Sequence, residues 1–283
     1  MKWTRIRRSV AAGCVIALAA GSYGFTQQLA PEQAAVQTAR VDAPAIGNLN
    51  EHPLTRPVEL AKQSLDKAKQ LQDCSFIMVK RELINGKLNP HDAVLMKIRC
   101  RPFAVYVQTL GPVQPKGREA IYAEGRNNGK ALVHVTGFQH KLVGMLQLDP
   151  TGPEMMDGQR YPMTLAGYEN FLAGTLQLYQ AEAQGPAQEN KVQIYVGAKV
   201  DGRPCTCVEN SHPVKRDNYP FQMTRIFYDD EHGLPIRWEA YAWPSRPGEQ
   251  PQLLEEYTYR NLRLNVGLTD ADFDANNPAY AFK

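Results

Sequence analysis

Between residues 93 and 107 the chain alternates Val94, Met96 and Ile98 with Lys97 and Arg99, then Phe103, Val105 and Val107 with Ala104 and Tyr106. A period of two is the pattern of a half-buried strand. The parity changes at Pro102, which offers no ladder donor, so the expectation is one long strand bent at Arg101-Pro102 over a curved sheet. Residues 74–84 form another apolar run, separated from the first by Asn85-Gly86, a short-range hairpin signal, with a longer loop through Asn89-Pro90 as an equal alternative. The two runs are therefore expected as antiparallel neighbours. With the loop centred near Lys87, Cys74 and Cys100 would face each other.

The same alternation recurs at 118–124, 130–135 and 142–148, divided by the turn residues Gly125-Arg-Asn-Asn-Gly129 and Thr136-Gly137. It returns at 192–196, 203–209, 221–228, 234–242 and 254–264, with Asp201-Gly202 and Glu231-His-Gly233 as turns. Two stretches instead have a helical period. One opens at Arg56-Pro57 and repeats Leu60, Ala61, Leu65, Ala68 and Leu71; the other follows Thr164, a candidate N-cap, with Leu165, Tyr168, Phe171, Leu172, Thr175, Leu176 and Tyr179. Gly167 and Gly174 lie within the second stretch, where they weaken a helix. The order helix, meander, helix, meander reads as an α+β, mainly antiparallel β fold. No parallel βαβ unit or glycine-rich phosphate loop is found.

The first residues have a different character. Lys2, Arg5, Arg7 and Arg8 precede a short apolar run at 10–20, the layout of an export signal. Residues 1–24 are expected to be a signal peptide or an N-terminal anchor. Cys14 precedes most of the apolar run instead of following it, so a lipidation box is disfavoured, and Arg7-Arg8 is only a faint twin-arginine feature. Residues 25–55, rich in Ala, Gln and Pro, bury too little to offset their ordering entropy and are expected to form a flexible tether. Residues 56–283 form the folded domain.

A formal net charge of +3, with Lys and Arg spread along the chain, excludes a nucleic-acid surface. In an exported chain the four cysteines after the leader, Cys74, Cys100, Cys205 and Cys207, are disulfide candidates. Cys205 and Cys207 share one side of a strand. With His212 they offer soft metal ligands, but the one-residue spacing and the missing fourth ligand argue against a zinc site, so no metal and no other cofactor is expected.

Three segments carry a family resemblance. Met96-Lys-Ile-Arg-Cys-Arg-Pro-Phe103, Ile226-Phe-Tyr-Asp-Asp-Glu-His-Gly-Leu-Pro-Ile-Arg237, and Glu255-Glu-Tyr-Thr-Tyr-Arg-Asn-Leu-Arg-Leu-Asn265 with Asp270-Ala-Asp-Phe273 resemble a bacterial family of exported proteins of unknown function. That family is in turn similar to the LolA/LolB-like lipoprotein carriers. The resemblance implies a LolA-like unclosed β-barrel, a half-barrel with lid helices around an apolar hollow. It also implies that the arginine preceding a proline on an early strand, here Arg101, helps hold the lid. The chain departs from the carriers in its four cysteines after the leader, its long tether and its C-terminal tail.

On that reading the ligand is a lipid or an acylated protein, and no catalysis is expected. The hollow would be lined by Met78, Val94, Met96, Ile98, Phe103, Val105, Met145 and Met223, with Leu165, Tyr168, Phe171 and Leu172 on the lid. Methionine and aromatic side chains adapt to varied apolar partners, although each of these positions equally suits plain core packing. Arg101 has its own structural alternative, a rim ion pair with Glu82 or Glu119. The setting would be the periplasm or cell envelope, with possible anchoring through the N-terminal segment. The runner-up is an envelope scaffold or enzyme-accessory module whose groove takes a protein. A hydrolase reading of Asp229, Asp230, Glu231 and His232 is weaker, since they fall on a turn where solvated charges are ordinary and no serine motif accompanies them. His134, on an apolar strand, reads as a core histidine.

Overall fold

A computed structural model describes residues 36–37, 51–136, 144–246 and 248–282. By its contacts the chain divides into Met1–Ala30 and Pro31–Lys283, and all described residues belong to the second unit. The expected leader and most of the expected tether lie outside the described residues. Val36–Gln37 (β1) pairs with the end of β9 (Lys191–Val200). Among the described residues no helix is long and apolar enough to cross a membrane.

Among the described residues the sheet has thirteen strands. They include β2 (Asp73–Ile84), β3 (Lys87–Leu88), β4 (Asp92–Arg99), β5 (Ala104–Gly111), β6 (Glu119–Ala123), β7 (Ala131–His134) and β8 (Met145–Leu148). After β9 come β10 (Arg203–Ser211), β11 (Met223–Asp229), β12 (Pro235–Tyr241) and β13 (Leu253–Leu264). Their order is β1-β9-β10-β11-β12-β13-β2-β4-β5-β6-β7-β8, with β3 paired to β2 alone. All pairs are antiparallel, and the sheet is not closed. Two meanders are thus joined where β13 returns to β2. This is the expected class, an unclosed antiparallel sheet with few helices.

Among the described residues three α-helices complete the fold: α1 (Thr55–Ala68), the single turn α2 (Pro153–Met156) and α3 (Tyr168–Glu182). Leu54, Ala61, Ala68 and Leu71 from the α1 region and Tyr168, Leu172 and Tyr179 of α3 share one core with Phe76, Met96, Ile98, Ile226, Tyr228 and Trp238. Val192 and Ile194 of β9 reach this core from one side and Tyr122 of β6 from the other. Flat, those two strands would lie about 40 Å apart, nearly twice the length of either helix. The sheet therefore curls around the helices.

The opposite face is covered in part by the chain's own end. Phe273, Tyr280 and Phe282 pack on Tyr106, Ile121 and Leu132, and Tyr280 stacks on Tyr106 at 4.1 Å. Asp270 pairs with Arg99 and Arg126, Asp272 with Lys97, and Glu119 accepts the backbone N–H of Ala281. On β10, Cys205 and Cys207 share a side, as expected, and sit fully buried with Phe227 and Ile236.

Several sequence expectations are corrected. Residues 93–107 are two strands, because the chain reverses at 100–103, with a cis peptide at Arg101-Pro102. The missing proline N–H falls in the turn, where the ladder needs no donor. Cys74 lies opposite Ile98, so the hairpin centres one residue earlier than expected, on Asn85-Gly86 with both residues at positive φ. A one-residue change of centre moves the register by two, which separates Cys74 from Cys100. Among the described residues, Cys74, Cys100, Cys205 and Cys207 are free thiols. The second long helix starts at Tyr168 behind Gly167 (φ 101°), while Met163–Leu165 forms a short 3₁₀ turn, so Thr164 is not its N-cap.

Two expectations follow. Leu172 is fully buried, whereas a Cβ at Gly174 would meet open space within the helix. Leu172→Ala should lower unfolding free energy in urea by about 2–5 kcal/mol, and Gly174→Ala should raise it by about 0.4–1 kcal/mol. The tail is expected to be acid-labile. Arg99 foremost, then Arg126, holds Asp270 below the ordinary carboxylate range; at Asp272 the bonds from Thr269 and Lys97 outweigh desolvation with the same result. Folded-state values below the unfolded ones mean stability present above about pH 4 and lost as pH falls through the folded values. Tail amides should thus lose hydrogen-exchange protection in acid, an effect absent from Asp270→Asn/Asp272→Asn.

Candidate functional site

The reversal at 100–103 projects Arg101 toward the ends of two helices. Its Nη1 donates to Glu169 Oε1 at 2.5 Å, in the first turn of α3, and its Nη2 donates to the carbonyl oxygens of Lys69 and, at 3.1 Å, Leu71, just past α1. A cation at a helix C-terminus and an acid at a helix N-terminus both complement the helix dipoles. One guanidinium thus joins the sheet to both long helices. The pair is half-exposed, with the side chains 55% and 35% accessible, and an exposed pair contributes only about 0.2–1 kcal/mol. The expected rim partners are engaged elsewhere. Glu82 takes Lys80 and the Tyr257 hydroxyl, and Glu119 takes Tyr106, Gln108 and Ala281.

Beside this junction lies a pocket of about 330 Å³. Ligand pockets generally run from about 300 to 1,000 Å³, so this one lies at the small end of that range. Its walls come from Ala68 of α1, Cys74 of β2, Ile98, Cys100 and Phe103 around the reversal, and Tyr122 and Glu124 beside β6, together with the segment leading into α3. Two carboxylates, Glu124 and Glu169, line it, and among the described residues no Lys, Arg or His does. Burial pushes the Cys74 thiol far up; burial and then Glu169 raise that of Cys100, so both stay protonated and weakly reactive.

The candidate residues divide into three groups. Ile98, Phe103 and Tyr168 line the pocket. Val94, Met96, Val105 and Leu172 are buried in the core beneath α1 and α3, with Met78 and Phe171 packed against it, so most of the expected hollow is filled by side chains. Three candidates lie elsewhere. Leu165 precedes the helix and is 53% exposed, Met145 is 42% exposed on edge strand β8, and Met223 is half-buried at the start of β11. Of the lining residues not expected at the site, Ala68 and Tyr122 fall within the predicted helix and strand, where periodicity marks an inward face but not a pocket, and Glu124, Ala166 and Asn170 carry no periodic signal of their own.

A second cluster pins the segment before α3 to the helix-covered face. Buried Glu255 accepts from Arg160 at 2.5 Å, Tyr161 at 2.9 Å and the Trp238 indole at 2.8 Å, while Lys80 bridges Glu82 at 2.8 Å and Gln159 at 2.5 Å. The segment from Gln159 to Glu169 is therefore fastened at both ends, by Arg160 at one and Arg101 at the other. The acidic turn is ordinary turn chemistry. Asp229 accepts from Arg203 Nε at 2.7 Å and from the His232 N–H at 2.9 Å, and Arg203 also reaches Glu231 at 3.0 Å. Together these bonds hold Asp229 below its usual range despite desolvation. His134 is buried near Phe282, as a core residue would be.

Among solved structures, Pseudomonas aeruginosa MucB in its complex with MucA is similar at 14% identity and a TM-score of 0.43, covering 78% of this chain and 61% of that one. The Mycobacterium tuberculosis lipoprotein LppX gives 11% identity and 0.41, covering 77% and 97%. A LolA superfamily protein from Nitrosomonas europaea gives 12% and 0.29, covering 76% and 97%. At such scores none of them carries a function to this chain. No curated protein sequence matches it. One family model does, over residues 71–282, and with three quarters of its length matched the chain belongs to the DUF1571 family, described as proteins of unknown function.

Proposed function

We propose that this chain is a non-catalytic, extracytoplasmic carrier that binds a lipid or acylated ligand through one apolar chain. The observation that carries the reading is the 330 Å³ pocket between the helix ends that Arg101 ties to the sheet. Aliphatic and aromatic walls and two protonated thiols suit a hydrocarbon tail. Burying each methylene is worth about 0.8 kcal/mol, so a few carbons seated there give useful affinity. The filled helix-covered face supports a resting, closed form in which Arg101 and Arg160 hold the lid down. The basic start and apolar run at 10–20 support export to the envelope. The same filled face favours a second reading, an envelope module that docks a protein and carries no lipid.

Purified full-length protein, extracted and analysed by mass spectrometry, is expected to yield bound lipid. An undecanoyl chain bearing a dansyl group should brighten on binding, and Ala166→Trp, which fills the pocket, should weaken that binding at least about tenfold without lowering the melting temperature. An empty extract, with a probe response indifferent to Ala166→Trp, would leave the protein-docking reading.

A further inference from the structure

The pocket changes character between its buried and its open walls. Ala68, Cys74, Ile98 and Tyr168 are buried and mainly apolar, and they form its floor. Glu124 and Asn170 are exposed and Glu169 is half-buried, so the mouth is polar and acidic. The rings of Phe103 and Tyr122 are half-buried, with centroids 6.2 Å apart and planes inclined at 50°. Tyr168 also carries a buried hydroxyl with no hydrogen-bond partner among the described residues, a donor free for a ligand oxygen.

The negative charge at the mouth is not fully offset. Arg101 is already met by Glu169 and two carbonyl oxygens, and Arg126 by Asp270. Glu124 accepts the Phe103 backbone N–H at 3.4 Å and has no cationic partner among the described residues. The Asn170 amide donates to the carbonyls of Thr164 and Ala166, which leaves its oxygen as a further acceptor. A cation beside a carboxylate and against aromatic faces is attracted by both, whereas an anionic head would be repelled.

We infer that the pocket selects an amphiphile with an ammonium head: the chain occupies the floor, and the head rests at Glu124 against the rings of Phe103 and Tyr122. The inference rests on the apolar-chain reading above and adds the charge of the ligand.

Full-length protein freed of copurifying lipid is titrated by calorimetry, below micelle formation, with decanoylcholine, decanoate and uncharged monodecanoin. Decanoylcholine is expected to bind about tenfold tighter than monodecanoin, and decanoate more weakly than either. Glu124→Gln should narrow the gap between cation and anion at least about fivefold, partly by strengthening decanoate, a gain that an unfolded variant could not show. Phe103→Leu should weaken decanoylcholine about threefold relative to monodecanoin. Decanoate binding as tightly as decanoylcholine, or a preference indifferent to Glu124→Gln, would overturn the inference, while monodecanoin binding would leave the apolar-chain reading standing. Failure of all three amphiphiles to bind would overturn both.

Discussion

A single guanidinium does what three separate contacts would otherwise have to do. Arg101 meets two carbonyl oxygens beyond α1 and a carboxylate at the start of α3, so the helix ends converge on one tight reversal of the sheet. Orphan carbonyls at a helix C-terminus need partners, and a carboxylate at a helix N-terminus is favourable there in its own right. The fork of an arginine serves both in one plane, a geometry that lysine cannot supply. Because the junction is part-exposed, it is weak compared with the core beneath it. It fixes the position of the helices and contributes little to stability.

Elsewhere the fold places its charges inside and pairs them. On β12, Arg237 donates to Glu239 at 2.7 Å and also to Glu256 and Thr258, while Arg225 reaches Glu209 at 2.6 Å. These residues form a cross-strand network of ion pairs, in which Arg225 and Arg237 offset Glu209, Glu239 and Glu256. On the helix-covered face Lys80, Glu82, Arg160 and Glu255 do the same. Removing one member of such a set strands a buried charge, whereas replacing the whole set by apolar groups is often tolerated. The ladders therefore constrain strand register, since a shift of one residue would turn every paired side chain to the other face.

The sequence disclosed the fold well because most of the longer strands keep a two-residue period, and because Asn85-Gly86 and Asp201-Gly202 close tight turns. Arg101 stood out through its neighbour Pro102, yet its partner Glu169 did not, since no periodicity links residues so far apart in sequence. The apolar candidates on β4 and β5 were recognisable as inward-facing. Whether an inward residue meets a void or another side chain depends on how α1 and α3 fill the curl, and no strand pattern encodes that. Leu165 was misread for a local reason: the helical period extends back to it, but Gly167 at φ 101° cuts the helix short. Glu255, inside a strand, gave no sign that it would hold Arg160.

The tail that lies across β5, β6 and β7 sets a temporal order on folding. Those strands are made early, and their outer apolar strip has no cover until Phe273, Tyr280 and Phe282 are synthesised. Exposed apolar surface on a nascent sheet invites aggregation. The packing of β5, β6 and β7 is therefore completed only once residues 273–282 have been made, and the outer face of this part of the sheet is the last to be closed.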